Sequence, residues 1–320
     1  MYNILDKYKQ AIIFLLKLAI VTGAFYFIFQ QLASNQLLSL TQLKQQIAVL
    51  FSKNRWLLLL LLLFTDVNWI LEIFKWKTLA SHEKKITFFE AFEQCLASLT
   101  VSIITPNRIG EYGAKALYFE KKQRKKIMVL NLMGNLSQLA VTLVFGILGI
   151  FFLSASFEIA LFSFNTLKFL LIASVLLLLF FIGKNSRIIK KIKEYAHKIY
   201  NYSKELPLKI LTKTLGYAVF RYLVFSHQFY FFLKLFQVDA DYITLISLIF
   251  STYLIASVIP SLAVFDWVIK GSVAVFIFGF IEVSPLTIVS ITTFMWLLNF
   301  AIPALIGSVF VLNFKMVTEK

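Results

Sequence analysis

Ile104-Thr105-Pro106-Asn107-Arg108-Ile109-Gly110-Glu111-Tyr112-Gly113-Ala114-Lys115 breaks a long apolar stretch with a proline, an arginine and an acid four residues ahead of a lysine. A second break reads Ile259-Pro260-Ser261-Leu262-Ala263-Val264-Phe265-Asp266, with Lys270 one helical turn further on. Around these breaks lie runs of about twenty residues almost without charge, among them 11–29, 56–74 and 169–183. A helix of about twenty apolar residues crosses the ~30 Å hydrocarbon core of a bilayer. The chain therefore reads as an all-α polytopic membrane protein. The runs are continuous, whereas the strands of a membrane β-barrel alternate. Polar breaks at corresponding places in two apolar halves are the sequence mark of an intramembrane binding site built from discontinuous helices.

The composition agrees. The chain is 59% hydrophobic and 15% charged, against roughly half and a quarter in soluble domains. Its net charge of +16 does not point to nucleic acid, because the basic residues flank apolar spans and mark a cytoplasmic face. Cys95 is the only cysteine, which excludes an intrachain disulfide, a zinc ribbon or an iron–sulfur cluster. His82, His197 and His227 are far apart, and no P-loop or G-x-G-x-x-G is present. No cofactor or metal is expected, and no ATP-driven step. Lys7 and Lys9 precede the first apolar run; it lacks a small-residue cleavage site and reads as an uncleaved span rather than a signal peptide.

Six full spans are expected, at about 10–30, 54–76, 127–153, 167–183, 210–236 and 286–313, with broken regions at about 87–120 and 243–281. Lys and Arg place the termini inside, together with Lys75, Lys77, Lys84 and Lys85, the run 121–126 and the strongly basic loop 184–209. That loop reads as an amphipathic helix on the inner leaflet or as a solvated segment. Asp239 and Asp241 mark an outer loop. The first broken region then begins and ends inside, and the second begins and ends outside. Each is a re-entrant helix–break–helix hairpin or a pair of short spans, the latter giving eight short spans. The expected organisation is one transmembrane domain, 1–320, in two inverted-topology repeats, 10–153 and 167–313.

The breaks also supply the candidate site. Thr105 is a suitable N-cap and Pro106 a suitable first helical residue. A half-helix starting there would present backbone N–H groups to an anion such as phosphate. Asn107 and Arg108 lie beside them, and guanidinium suits phosphate. Gly110 permits close approach. Glu111 with Lys115, and Asp266 with Lys270, are acid–base pairs at i, i+4. Polar residues Asn131, Asn135, Gln138 and Thr142 share a face of the span after the first break; Thr292, Trp296, Asn299 and Pro303 share one after the second. They would line a hydrated cavity or bind helices together. Asp66, Glu72, Arg221 and His227 complete the expected lining, with Asp66 and Arg221 as a candidate pair across the repeat axis and His227 as a candidate proton relay.

The string from Thr105 to Glu111, followed by Lys115, resembles the signature of the lysylphosphatidylglycerol synthase transmembrane-region family, whose common form is T-P-G-R-x-G-E. Length and the second proline-led break extend the resemblance over nearly the whole chain. Asn107 stands where the family form has glycine, and Phe265-Asp266-Trp267 replaces a glycine-rich run with Glu. The resemblance implies a flippase-like fold with re-entrant helices in two inverted halves. In some relatives this region moves aminoacylated phospholipid and is fused to a soluble aminoacyl-transferase domain; no such domain is expected within these 320 residues.

The expected function is a flippase of a bacterial-type inner membrane. It would move a phospholipid, aminoacylated or not, or a polyprenyl-linked headgroup, with membrane lipids as partners and a separate lipid synthase as a second candidate partner. An intramembrane headgroup transferase with Glu111 or Asp266 as general base, and a scaffold for an envelope synthase, are the rival readings.

Overall fold

A computed structural model describes residues 55–103, 105, 108–157, 197, 199–259 and 266–315, with a few helical positions between 15 and 26. The expected spans at 10–30 and 167–183 lie largely or wholly outside the described residues, as do most of the basic loop, Pro106, Asn107, Pro260 and the side chain of Asp266.

The described residues form a helical membrane protein. The apolar run after Arg55 makes α1 (Arg55–Ala80). The first broken region is α2 (Phe88–Ile103) and α3 (Ile109–Leu117). Then come α4 (Arg124–Phe157), α5 (Leu208–Leu235), α6 (Tyr242–Val258) and α7 (Asp266–Phe278). Last are α8 (Pro285–Trp296) and α9 (Ile302–Asn313), joined by a π-helical turn, Leu297–Ala301. Helix α1, the 32 residues Arg124–Ala155 and the 29 residues Pro285–Asn313 are long and apolar enough to cross a membrane. Helices α2, α3, α6 and α7, of 16, 9, 17 and 13 residues, fall short of the ~20 residues a crossing takes.

Local chemistry sets several boundaries. Thr87 and Glu90 form a capping box at α2: Glu90 N–H donates to Thr87 Oγ1 at 3.2 Å, and Thr87 N–H to Glu90 Oε2 at 2.6 Å. Asp241 caps α6 by accepting from Thr244 N–H at 2.9 Å and Thr244 Oγ1 at 2.7 Å. The half-helix α3 starts at Ile109 rather than at Pro106, because Arg108 has φ 56°. A left-handed residue cannot belong to a right-handed helix. Pro303 accounts for the π-helical turn: it has no N–H for the carbonyl of Asn299, and its ring crowds that carbonyl.

The packing between helices is close. Helix α1 lies along α5, α4 along α6, and α9 along α2. The last two contacts depend on glycine. A Cβ on Gly307 would run into the Leu96 carbonyl of α2, and one on Gly146 into the Leu254 side chain of α6. Thr100 Oγ1 of α2 donates to the Ala304 carbonyl at 2.6 Å. Small residues and interhelical hydrogen bonds of this kind replace the hydrophobic drive that apolar surroundings cannot supply. One large apolar cluster joins α5, α6, α7 and α8. A second surrounds Trp76, Cys95, Ile127 and Leu130 and is closed by Leu206. Beside it, Tyr202 Oη donates to Glu83 Oε1 at 2.6 Å, tying the end of the 184–209 loop to the α1–α2 turn.

Candidate functional site

A cavity of about 690 Å³ opens between the two broken regions, within the range of small-molecule sites. Among the described residues, every helix except α3 and α9 contributes to it, together with the α2–α3 break. Its cations are Arg108, Arg221 and Lys270, and no Asp or Glu lines it among the described residues. Eight aromatic rings surround it, including Trp69, Tyr253, Trp267 and Phe300.

The lining residues Asn68, Arg221 and Asn299 belong to a polar chain that crosses from α1 to α5 and the π-helical turn. Lys75 Nζ lies 2.6 Å from Glu72 Oε2, and Arg221 Nη1 lies 2.7 Å from the same oxygen. Arg221 Nε donates to Asn68 Oδ1 at 3.1 Å; Asn68 Nδ2 donates to Asn299 Oδ1 at 2.9 Å. Asn299 Nδ2 donates to Gln228 Oε1 at 2.8 Å, and Gln228 Nε2 to Thr65 Oγ1 at 2.7 Å. Thr65, Asn68, Glu72 and Lys75 recur at helical spacing on α1, as do Arg221 and Gln228 on α5, and the π-helical turn supplies Asn299. Each amide gives its N–H and accepts through its oxygen, as buried polar groups require.

The first break carries a separate pair. Lys115 Nζ is 2.8 Å from Glu111 Oε1 and donates to Asn131 Oδ1 at 2.8 Å. It lies 4.4 Å from the centre of the Trp76 ring and is 2% exposed. Trp76 Nε1 in turn donates to Gln94 Oε1 at 2.7 Å. Thr105 Oγ1 accepts from Gly110 N–H at 2.9 Å, so the threonine caps α3 from five residues back. The Arg108 guanidinium lies 5.0 Å from the centre of the Phe300 ring, which joins the first break to the π-helical turn.

The sequence-derived residues thus divide. Arg108, Gln138, Arg221, Lys270 and Asn299 line the cavity, with Thr142, Thr292 and Trp296. Glu72 stands behind Arg221. Glu111, Lys115, Asn131 and Asn135 hold α3 against α4, Asn135 Nδ2 donating to Tyr112 Oη at 3.0 Å. Lys115 is therefore turned inward to Glu111, away from the cavity. The expected Asp66–Arg221 pair does not form: Arg221 takes Glu72, and Asp66 is exposed. Asp66 is two residues, about 200°, from Asn68 around the helix, so it faces away while Asn68 and Glu72 face in. His227 lies outside the cavity lining, its ring between the Leu223 carbonyl and Tyr242 Oη, each at 2.8 Å. Asn107 and the Asp266 side chain are outside the described residues.

Sequence reasoning missed three polar atoms. The indole N–H groups of Trp69 and Trp267 and the hydroxyl of Tyr253 are buried and find no partner among the described residues. Nothing in the sequence separates these aromatics from the rest. Lys75, expected at the inner end of its span, has its side chain buried against Glu72 on the same helix face.

A helical, multi-pass membrane protein with a charged cavity between broken helices is the class these features define. The chain belongs to the lysylphosphatidylglycerol synthase TM region family, whose model matches residues 14–311. Its family relates it to lipid synthesis or transport. No curated protein sequence matches it.

Proposed function

We propose that this protein is a lipid flippase, which carries a phospholipid or polyprenyl-linked headgroup between leaflets through the cavity. The observation that carries the reading is a cavity in a membrane protein lined by Arg108, Arg221 and Lys270. Ionisable groups at membrane depth are costly and mark substrate pathways. The headgroup would rest against Arg108, Arg221, Lys270 and the polar faces of Gln138 and Asn299, with Glu72 as the counter-ion of the empty state. Val258 and Ile259, exposed at the rim, would meet the acyl chain while it stays in the bilayer.

Movement would come from two inverted repeats in one domain, with re-entrant hairpins at α2–α3 and α6–α7. Two features support this. The four hairpin helices are short, and the helix pairings keep their pattern when the halves are exchanged. Helix α1 packs on its counterpart α5, while α4 on α6 answers α9 on α2. Rocking of one half against the other would expose the cavity to each side in turn. The charge bias supports cytoplasmic termini in an inner membrane.

The test is translocation of fluorescent-headgroup phosphatidylglycerol in proteoliposomes. Wild type should flip it well above protein-free vesicles, and Arg108→Gln and Arg221→Gln should lose most of that rate. Equal rates with and without protein, over a panel that includes a polyprenyl phosphate, would defeat the proposal. Headgroup modification on adding a donor would favour the transferase reading instead.

A further inference from the structure

We infer that the cavity selects a lipid phosphate without an amine, and discriminates against an aminoacylated headgroup. The inference rests on the transport reading above and narrows its substrate.

The charge is one-sided. Arg108, Arg221 and Lys270 line the cavity, and no carboxylate does so among the described residues. The buried carboxylates nearby are committed elsewhere. Glu72 is shared between Lys75 and Arg221, and Glu111 is held by Lys115. Asp266 begins α7 one turn before Lys270. Even if those two charges cancel, Arg108 and Arg221 with Lys75 outweigh Glu72, and the site stays positive.

The hydrogen-bonding groups point the same way. Trp69 Nε1 and Trp267 Nε1 are donors only, and both are buried without an acceptor among the described residues, as is the Tyr253 hydroxyl. Those atoms are sealed from the cavity, so the groups a ligand meets are the guanidinium and ammonium groups of Arg108, Arg221 and Lys270, which are also donors only. A phosphate brings only acceptors and negative charge. An aminoacyl ester adds ammonium groups, which would meet two arginines and a set of donors. Aromatic rings can hold ammonium, and eight surround the cavity, but an ammonium on any of them shares the cavity with Arg108, Arg221 and Lys270.

The discriminating measurement is binding to the purified full chain in micelles, followed by native mass spectrometry. The probes are phosphatidic acid, phosphatidylglycerol, lysylphosphatidylglycerol and phosphatidylcholine with matched acyl chains. Phosphatidic acid and phosphatidylglycerol should bind, and the lysyl lipid should bind about tenfold or more weakly, as like-charge contacts at a desolvated site imply. Preference for phosphatidic acid assigns a monoester; equal binding assigns any lipid phosphate. Arg108→Gln and Lys270→Gln, which each remove a lining cation, should each weaken the anionic lipids several-fold. Lysylphosphatidylglycerol binding as tightly as phosphatidylglycerol overturns the inference, as does unchanged anionic-lipid binding in both variants. Flipping of the lysyl lipid would overturn it and leave the transport reading standing. Selective binding of the anionic lipids without flipping would do the reverse.

Discussion

Replacing Glu72 with glutamine should destabilise the centre of this protein, and removing Lys75 as well should restore much of the loss. Glu72 Oε2 holds Lys75 at 2.6 Å and Arg221 at 2.7 Å, and the lysine side chain is 3% exposed. Glutamine keeps the shape but leaves Lys75 buried with no anion. Breaking a buried pair from one side costs roughly 3–5 kcal/mol, because the remaining charge is uncompensated. At about 2 °C per kcal/mol for a chain of this size, Tm in micelles should fall by roughly 6–10 °C. Lys75→Met removes the stranded charge, and its long apolar side chain fills the space. Glu72→Gln with Lys75→Met should therefore recover more than half of the loss, a coupling of about 1–3 kcal/mol across the cycle. The assay is thermal unfolding of the four proteins followed by circular dichroism. A Glu72→Gln protein as stable as wild type, or a double variant with the two losses simply added, would refute the assignment of Glu72 as the shared counter-ion.

Other outcomes follow from the same geometry. Gly307→Ala should lower Tm sharply or abolish folding, since its Cβ would strike the Leu96 carbonyl; overpacking costs about 1–3 kcal/mol or more. Gly216→Ala, also in a helix but with open space around it, should be neutral or raise stability by up to ~1 kcal/mol; equal losses for the two would contradict the packing. Pro303→Ala restores an N–H and should let the π-helical turn relax, withdrawing Asn299 from Asn68 and Gln228; cavity binding should fall more than Tm, read by lipid titration beside a melt. Hydrogen bonds from the Thr244 side chain and N–H hold the Asp241 carboxyl below its ordinary range. The cap is therefore fully present above about pH 4 and is lost as pH falls through the lowered folded-state value. The Tm advantage of wild type over Asp241→Ala should stand at pH 7 and shrink in strong acid.

Among the described residues, three of the expected spans were legible because length and apolar continuity define them. The expected 54–76 became Arg55–Ala80, and 286–313 became Pro285–Asn313. The breaks were legible because proline and charge interrupt apolar sequence. What the sequence hid was rotation and depth. Asp66 and Glu72 sit in one helix, and only the angle at which α1 meets α5 decides which of them reaches Arg221. An i, i+4 pair such as Glu111–Lys115 looks the same on a wet surface as in a core. Trp76 and Asn131, from two other helices, are what bury it. The unmatched indole and phenol donors were invisible for a similar reason: an aromatic residue in a lipid-rich protein advertises its ring, not the direction of its polar atom.

Arg221 has two duties that conflict. It closes the α1–α5 junction by pairing with Glu72, and it also faces the cavity. A phosphate entering the cavity competes with Glu72 for the guanidinium. Glu72 is not stranded by losing it, because Lys75 remains 2.6 Å away. Lys75 thus lets the junction loosen at modest cost when substrate arrives, which a simple two-residue pair would not allow. The consequence is measurable. A ligand that binds the folded state raises stability by RT ln(1 + [L]/Kd). In wild type part of that gain is offset by the bond taken from Glu72. In Glu72→Gln there is no such bond to lose, and the phosphate supplies the missing anion. Saturating phosphatidic acid should therefore raise Tm more in Glu72→Gln than in wild type. An equal or smaller rise in the variant would mean that the ligand and Glu72 do not compete for Arg221, and the link between occupancy and helix packing would fall.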